Sequence, residues 1–304
     1  MCASTTKSWT SVTSRTFPCG KAIASTSCIS WEGDFLFNLT EEEIERYSRH
    51  IILPEVGGAG QQKLKEASVL VVGAGGLGSP VLLYLTAAGI GRIGVIEDDV
   101  VDLTNLQRQV LHTTSDVGKP KVESASETMK QINPHVQVDV YHERLNKDNI
   151  FALLDRYDIV VDGVDNFPTR YLINDACVMK KKILVEGGIL RFMGLIMSIK
   201  GGETACYRCV YEEPPPPGTV PSCAEAGILG AVAGVLGTLQ ATEVLKIVTG
   251  VGEPLYNRLL QFDAEELRFH EVNARRNPRC PVCGEKPTIT ELVEYDHSCE
   301  IQAP

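Results

Sequence analysis

Ser68-Val-Leu-Val-Val72 runs directly into Gly73-Ala-Gly75-Gly76-Leu-Gly78, and Ser79-Pro-Val-Leu-Leu-Tyr-Leu-Thr-Ala-Ala88 follows. The first five residues are a β-branched apolar run, the glycines end it, and the last ten read as a helix with Pro80 in the first turn, where proline is tolerated. Strand, glycine turn and helix in this order suit a nucleotide. Gly73, Gly75, Gly76 and Gly78 permit the tight turn, let backbone approach a phosphate and bring helix against strand. Glu97 closes a second apolar strand at 92–96, nineteen residues beyond Gly78. A carboxylate there can accept ribose hydroxyls. Nucleotide binding is favoured over a purely structural turn, but the motif does not name the nucleotide.

Outward from this unit the alternation continues, with a helix predicted at 119–132, a strand at 158–162, a helix at 168–179 and a strand at 183–185. That pattern predicts a Rossmann-like, mostly parallel sheet flanked by helices. Upstream, Thr40-Glu-Glu-Glu43 offers a capping box for a helix running past Arg49, broken by Pro54 and Gly57-Gly58. Downstream, extended segments at 190–199 and 255–272 flank one long helix over 223–249, closed by Gly250, which predicts a mixed or antiparallel C-terminal extension. The proline-dense stretch 211–223 reads as an extended, mobile linker. Residues 1–31 contain no Asp or Glu and are crowded with Ser and Thr. Residues 1–38 are therefore expected to be a disordered extension or a misassigned start, in preference to a transit peptide, for which Arg15 alone is a poor supply of arginine. Residues 39–304 are expected to form a single domain, with a nucleotide-binding part at 39–185, a second part at 186–290 that includes two CxxC pairs, and a short tail at 291–304.

Twenty-nine basic against thirty-nine acidic residues leave a formal charge of −10, which disfavours a broad electrostatic grip on nucleic acid or anionic lipid. The apolar stretch 226–239 falls short of the roughly 20 residues that a membrane span needs, so a soluble, cytoplasmic protein is expected. Four of the ten cysteines form two CxxC pairs, Cys206/Cys209 and Cys280/Cys283. Four thiolates suit a closed tetrahedral Zn²⁺, in preference to redox pairs or plain buried thiols. Such a site would clamp the C-terminal strands and leave no open position for catalysis. Cys223, between the proline linker and a helix start, is a candidate reactive thiol. Cys177 reads as buried and inert, and the histidines show no ligand spacing.

Asp99, Asn105, Arg108, Gln109 and Lys121 follow the glycine unit in a pattern that dinucleotide oxidoreductases do not need. An Asn, an Arg and a Lys at the mouth of a nucleotide site would supply charge for a triphosphate and for a pentavalent phosphorus. Asp165-Asn166 falls just past a strand, at the edge where open α/β sheets bind ligands. There an Asp can hold Mg²⁺, or the pair can simply make a turn and a helix cap, and the spacing does not choose between them.

Together with Glu45-Arg-Tyr-Ser-Arg49-His50 and Ser222-Cys-Ala-Glu-Ala-Gly227, these residues resemble the MoeB/ThiF family, prokaryotic relatives of ubiquitin-activating enzymes, from about Leu39 to Pro287. The resemblance implies a homodimer that uses ATP and Mg²⁺ to adenylate the C-terminal Gly-Gly carboxylate of a small ubiquitin-like sulfur carrier, ahead of thiocarboxylate formation in molybdopterin, thiamine or related sulfur metabolism. It places Gly76 at the phosphates, Glu97 at the ribose, Asn105, Arg108 and Lys121 at the triphosphate, and Asp165 on Mg²⁺. Arg49 would reach into the neighbouring subunit's site. Cys223 matches a position that carries a thioester or persulfide in some members. Glu97 departs from the family's usual Asp, and sulfur is expected from a separate cysteine desulfurase or sulfurtransferase. The alternatives are a tRNA-modifying dehydratase of the same superfamily and a non-catalytic protein-binding partner.

Overall fold

A computed structural model describes residues 38–216, 219 and 226–293. At its centre, β1 (Ser68–Val72) pairs in parallel with β2 (Arg92–Ile96) on one side and β4 (Ile159–Asp162) on the other. The sheet has eight strands in the order β3-β2-β1-β4-β5-β6-β7-β8. The first five are parallel. From β5 (Ile183–Leu190) through β6 (Met193–Lys200), β7 (Arg258–Asp263) and β8 (Arg268–Asn273), neighbours run antiparallel.

Side chains alternate across a strand, so β1 feeds two cores. Val69 and Val71 join one with α4 (Gly78–Ala88), α5 (Lys121–Ile132) and α9 (Gly230–Thr249). Leu70 and Val72 join the other with α6 (Ile150–Leu154), α7 (Phe167–Met179) and α8 (Tyr207–Val210). The second core also contains Cys206, Cys280 and Cys283.

Several elements depart from the sequence expectation. Thr40 does close a capping box with Glu43, but the helix it starts stops at Arg46 (α1, Glu41–Arg46) and resumes as α2 (Ser48–Ile51). Gly57 does not end a helix; it opens α3 (Gly57–Glu66), where its φ of 60° suits a glycine. β3 (Gln137–Tyr141) was not expected, because an edge strand with its side chains half in water carries no apolar run. The 255–272 segment is two strands, turned at Leu267 with φ 54°.

The helix Gly230–Thr249 is long and apolar enough to cross a membrane, with a mean hydropathy of 1.4, so the apolar stretch is longer than the sequence reading allowed. Its packing is that of a core helix. Gln240 Nε2 donates to Asp162 O at 2.7 Å, and Glu243 Oε2 accepts from Ser198 Oγ at 2.7 Å and from Leu255 N at 2.6 Å.

Candidate active site

The crossovers leave β1 and β4 in opposite directions, and open α/β sheets bind ligands at the carboxyl ends of strands at such a switch point. Here a cavity of about 640 Å³ opens, within the range of ligand pockets. Gly73, Gly75 and Gly76 from the loop after β1, Glu97 and Asp99 after β2, and Asp165 and Asn166 after β4 all line it, together with Arg108, Gln109 and Lys121.

The glycine loop is held from behind. Gly73 has φ 93° and donates its N–H to Ile96 O at 2.9 Å, and a side chain on Gly78 would collide with Gly73 O. Gly78 thus lets α4 start hard against β1 without itself reaching the cavity, whereas Gly75 and Gly76 face it. His112, whose spacing predicts no role, braces this loop. Its Nε2 lies 3.0 Å from Ala74 O and its Nδ1 2.8 Å from Ser124 Oγ. A carbonyl only accepts, so Nε2 carries the hydrogen and Nδ1 takes one from the serine. Burial pushes the His112 pKa down and keeps the ring neutral.

Lys121 is brought to the acids by a short backbone pairing. Val101 N donates to Lys119 O at 2.9 Å and Lys121 N to Asp99 O at 3.0 Å. The Lys121 ammonium then lies 2.8 Å from Asp99 Oδ2 and 3.9 Å from Glu97 Oε2. Glu97 also accepts from Ala74 N at 3.3 Å and, through its other oxygen, from Asp98 N and Asp99 N at 3.1 and 3.2 Å. Burial raises the Glu97 pKa; the Lys121 charge opposes this and that of Asp99 adds to it.

Arg108 donates to Thr104 O at 3.2 Å from a single turn that also carries Gln109, which is buried on the cavity wall. Asn105 is in that turn but off the wall; its Oδ1 accepts from Asp102 N at 3.3 Å. Asn166 is the N-cap of α7, accepting from Thr169 N at 3.0 Å, while Asp165 leaves an exposed carboxylate on the cavity. A hard oxygen donor beside a triphosphate-sized space suits Mg²⁺. Arg49 is exposed on α2 and outside this cavity. Cys223 lies outside the described residues.

The sequence reading missed the far wall, where Arg170, Tyr171, Tyr207 and Tyr211 line the cavity. The signal was Glu186, a carboxyl inside the apolar strand Ile183–Leu190.

The four sulfurs of the CxxC pairs meet below this wall. Their separations include 3.3 Å for Cys209/Cys283, 3.6 Å for Cys206/Cys280 and 3.9 Å for Cys206/Cys209. Thiolates about 2.3 Å from a central Zn²⁺ form a tetrahedron with edges of about 3.8 Å, so the cluster has the size of a closed metal site. Arg208, between the first two cysteines, grips Asp175 of α7 through two 2.8 Å bonds. Cys177 is buried apart from the cluster, and burial raises its thiol pKa.

Residues 47–282 match the ThiF family. The chain is 53% identical over 268 residues to the sulfur carrier protein adenylyltransferase of Thermus thermophilus, covering 86% of this chain and 99% of that protein. It is 49% identical to the adenylyltransferase and sulfurtransferase MOCS3 of Anopheles gambiae, over 87% of this chain but only 60% of the relative, so it spans about three fifths of that protein's length. Among solved structures, E. coli MccB with ATP superposes with a TM-score of 0.67 at 28% identity, covering 82% of this chain and 75% of MccB.

Proposed function

The chain belongs to the ThiF family, and from that premise we propose that it adenylates the C-terminal Gly-Gly carboxylate of a small ubiquitin-like sulfur-carrier protein, with ATP as the AMP donor. The observation that carries this reading is the convergence of Lys121, Arg108, Glu97 and Asp165 on one cavity at the carboxyl ends of β1, β2 and β4. An oxidoreductase site has no need of two cations and a free carboxylate at the phosphate end.

The reaction asks little covalent chemistry of the protein. A carrier carboxylate oxygen attacks the α-phosphorus of ATP in line, the bond to the bridging oxygen breaks, and pyrophosphate leaves from the acyl-adenylate. Positioning and charge neutralisation lower that barrier. Gly75 and Gly76 let backbone meet the phosphates, Glu97 accepts ribose hydroxyls, and Lys121 and Arg108 offset the charge that builds on the transferring and departing groups. Asn105, one turn from Arg108, supports that segment. Asp165 would hold Mg²⁺, which supplies further neutralisation of the phosphate oxygens when bound. Zn²⁺ is the metal best suited to Cys206, Cys209, Cys280 and Cys283, and it would fasten the C-terminal strands to α7.

The finer reading is a cytoplasmic homodimer in which Arg49 serves the partner's site, with sulfur arriving from a separate donor protein. Cys223 is assigned to sulfur transfer and not to adenylation. The test is ATP–pyrophosphate exchange with Gly-Gly-terminated carriers. Arg108→Ala and Asp165→Ala should abolish exchange in a folded protein while Cys223→Ala spares it, and equal loss in all three would contradict this division of roles.

A further inference from the structure

Three charged side chains lie buried together behind Asp165. Asp162 and Glu186 are fully buried, and the Arg170 side chain is 8% exposed. Arg170 Nε lies 2.7 Å from Glu186 Oε1 and 3.4 Å from Asp162 Oδ2. Taking such groups out of water costs several kcal/mol per ion, by order of magnitude, and apolar residues of equal volume often stabilise as well or better. Apart from Arg170 and Asp162, the Glu186 oxygens have no hydrogen-bond partner among the described residues. Burial, with Asp162 alongside, raises the Glu186 pKa, and the Arg170 charge opposes that shift. Stability alone is a poor reason for this cluster.

Its hydrogen bonds point to another reason. Asp162 Oδ1 accepts from Val164 N at 2.8 Å, and Arg170 Nη2 donates to Val164 O at 3.1 Å. Both backbone groups of the residue before Asp165 are therefore gripped. The same Nη2 donates to Gly187 O at 2.9 Å, which ties the turn to β5. On the other side of Asp165, Asn166 is fixed by its cap bond to Thr169 N. Asp165 is the exposed residue between two clamped neighbours.

We propose that Arg170, seated between Asp162 and Glu186, is a positioning residue that locks the Val164–Asp165 turn and so aims the Asp165 carboxylate into the nucleotide cavity. The inference rests on the adenylation reading, in which Asp165 serves Mg-ATP. The charge cluster supplies rigidity where a loop residue must meet a ligand without rearranging.

The test is a double-variant cycle on the full chain, with ATP binding measured by calorimetry in the presence and absence of Mg²⁺. Arg170→Lys keeps the charge but loses the planar fork that faces the two carboxyls through Nε while holding Val164 O and Gly187 O through Nη2. The Mg²⁺-dependent gain in ATP affinity should fall about tenfold in Arg170→Lys and in Asp165→Asn, and no further in the double variant, because residues acting through one group are not additive. Affinity without Mg²⁺ is the reference within each variant, so that the readout is the Mg²⁺-dependent gain alone. If Arg170→Lys shows no cooperative thermal transition, Asp162→Asn, Glu186→Gln and Arg170→Gln combined remove all three buried ionisable groups together, and the same cycle applies. Equal losses with and without Mg²⁺, losses that multiply in the double variant, or no loss at all would overturn the inference while leaving the adenylation reading in place. Wild-type chain that does not bind ATP would overturn both.

Discussion

Lys121 and Asp99 are joined twice, by the 2.8 Å contact between ammonium and carboxylate and by the 3.0 Å bond from Lys121 N to Asp99 O. The backbone bond places the lysine at the first position of α5, and the side-chain contact keeps its charge satisfied while it lies only 5% exposed at the cavity wall. An arriving triphosphate therefore meets a cation that is already oriented. Lys121→Ala should lower pyrophosphate exchange by about 10²- to 10³-fold, the usual scale for removing one preorganised charge-stabilising group. Exchange assays run alongside circular dichroism check this, and a folded Lys121→Ala variant with near wild-type exchange would contradict the role.

Glu97 gives the site a pH dependence. Burial raises its pKa, so its carboxylate gains a proton at a higher pH than an exposed glutamate would. A protonated carboxyl is a poorer acceptor for ribose hydroxyls. ATP affinity should thus weaken as pH falls through that raised pKa, and Glu97→Gln should bind more weakly at neutral pH with a flatter profile. Calorimetric titrations from pH 7.5 down to 5 distinguish the two, and parallel profiles would assign the dependence elsewhere.

The cysteine cluster should carry one metal ion per chain. Elemental analysis of protein purified without added metal checks the stoichiometry. Cys280→Ser should lose the metal and lower the melting temperature, since the cluster joins α8 to the loop after β8 and backs the Tyr207 wall. Full metal content in Cys280→Ser would show that the four sulfurs do not act together.

Asp116 should supply an acid-sensitive share of stability. Burial alone would raise its pKa, but hydrogen bonds from the Thr113 hydroxyl at 2.7 Å and N–H at 2.9 Å, with Lys119 at 3.2 Å, outweigh this and hold it at about 2. A folded pKa below the unfolded value of 3.8 stabilises the protein above pH 4, and that contribution fades as pH falls from 3.8 towards 2. Asp116→Asn should cost roughly 2 kcal/mol at pH 7 and progressively less below pH 4. Urea melts across that range read the difference directly.

Much of this molecule was legible in its sequence because the decisive elements are buried on both faces. β1 and β2 are short apolar runs ended by glycine or acid, and they fall at the residues expected. The edge strand β3 was not legible, since its polar face meets water and its pairing partners in β2 lie forty-five residues away in the chain. Of the candidate site residues, Gly73, Gly75, Gly76, Glu97, Asp99, Arg108, Gln109, Lys121, Asp165 and Asn166 line one cavity, and Gly78 lies behind it. Asn105 and Arg49 do not reach it within this chain. The brace from His112 and the clamp from Arg170 were invisible because each depends on partners set by tertiary packing, with no local spacing to mark them. Asn166 caps a helix, as one reading of its motif expects, and it also lines the cavity.

The central claim is that this cavity joins AMP to a protein's terminal carboxylate. The most direct measurement is incorporation of labelled pyrophosphate into ATP by the purified full-length chain, with Mg²⁺ and a carrier ending in Gly-Gly, against the same carrier lacking its last residue. Exchange that depends on the intact Gly-Gly end is the predicted result. No exchange with any such carrier, together with turnover of a nicotinamide cofactor, would contradict it.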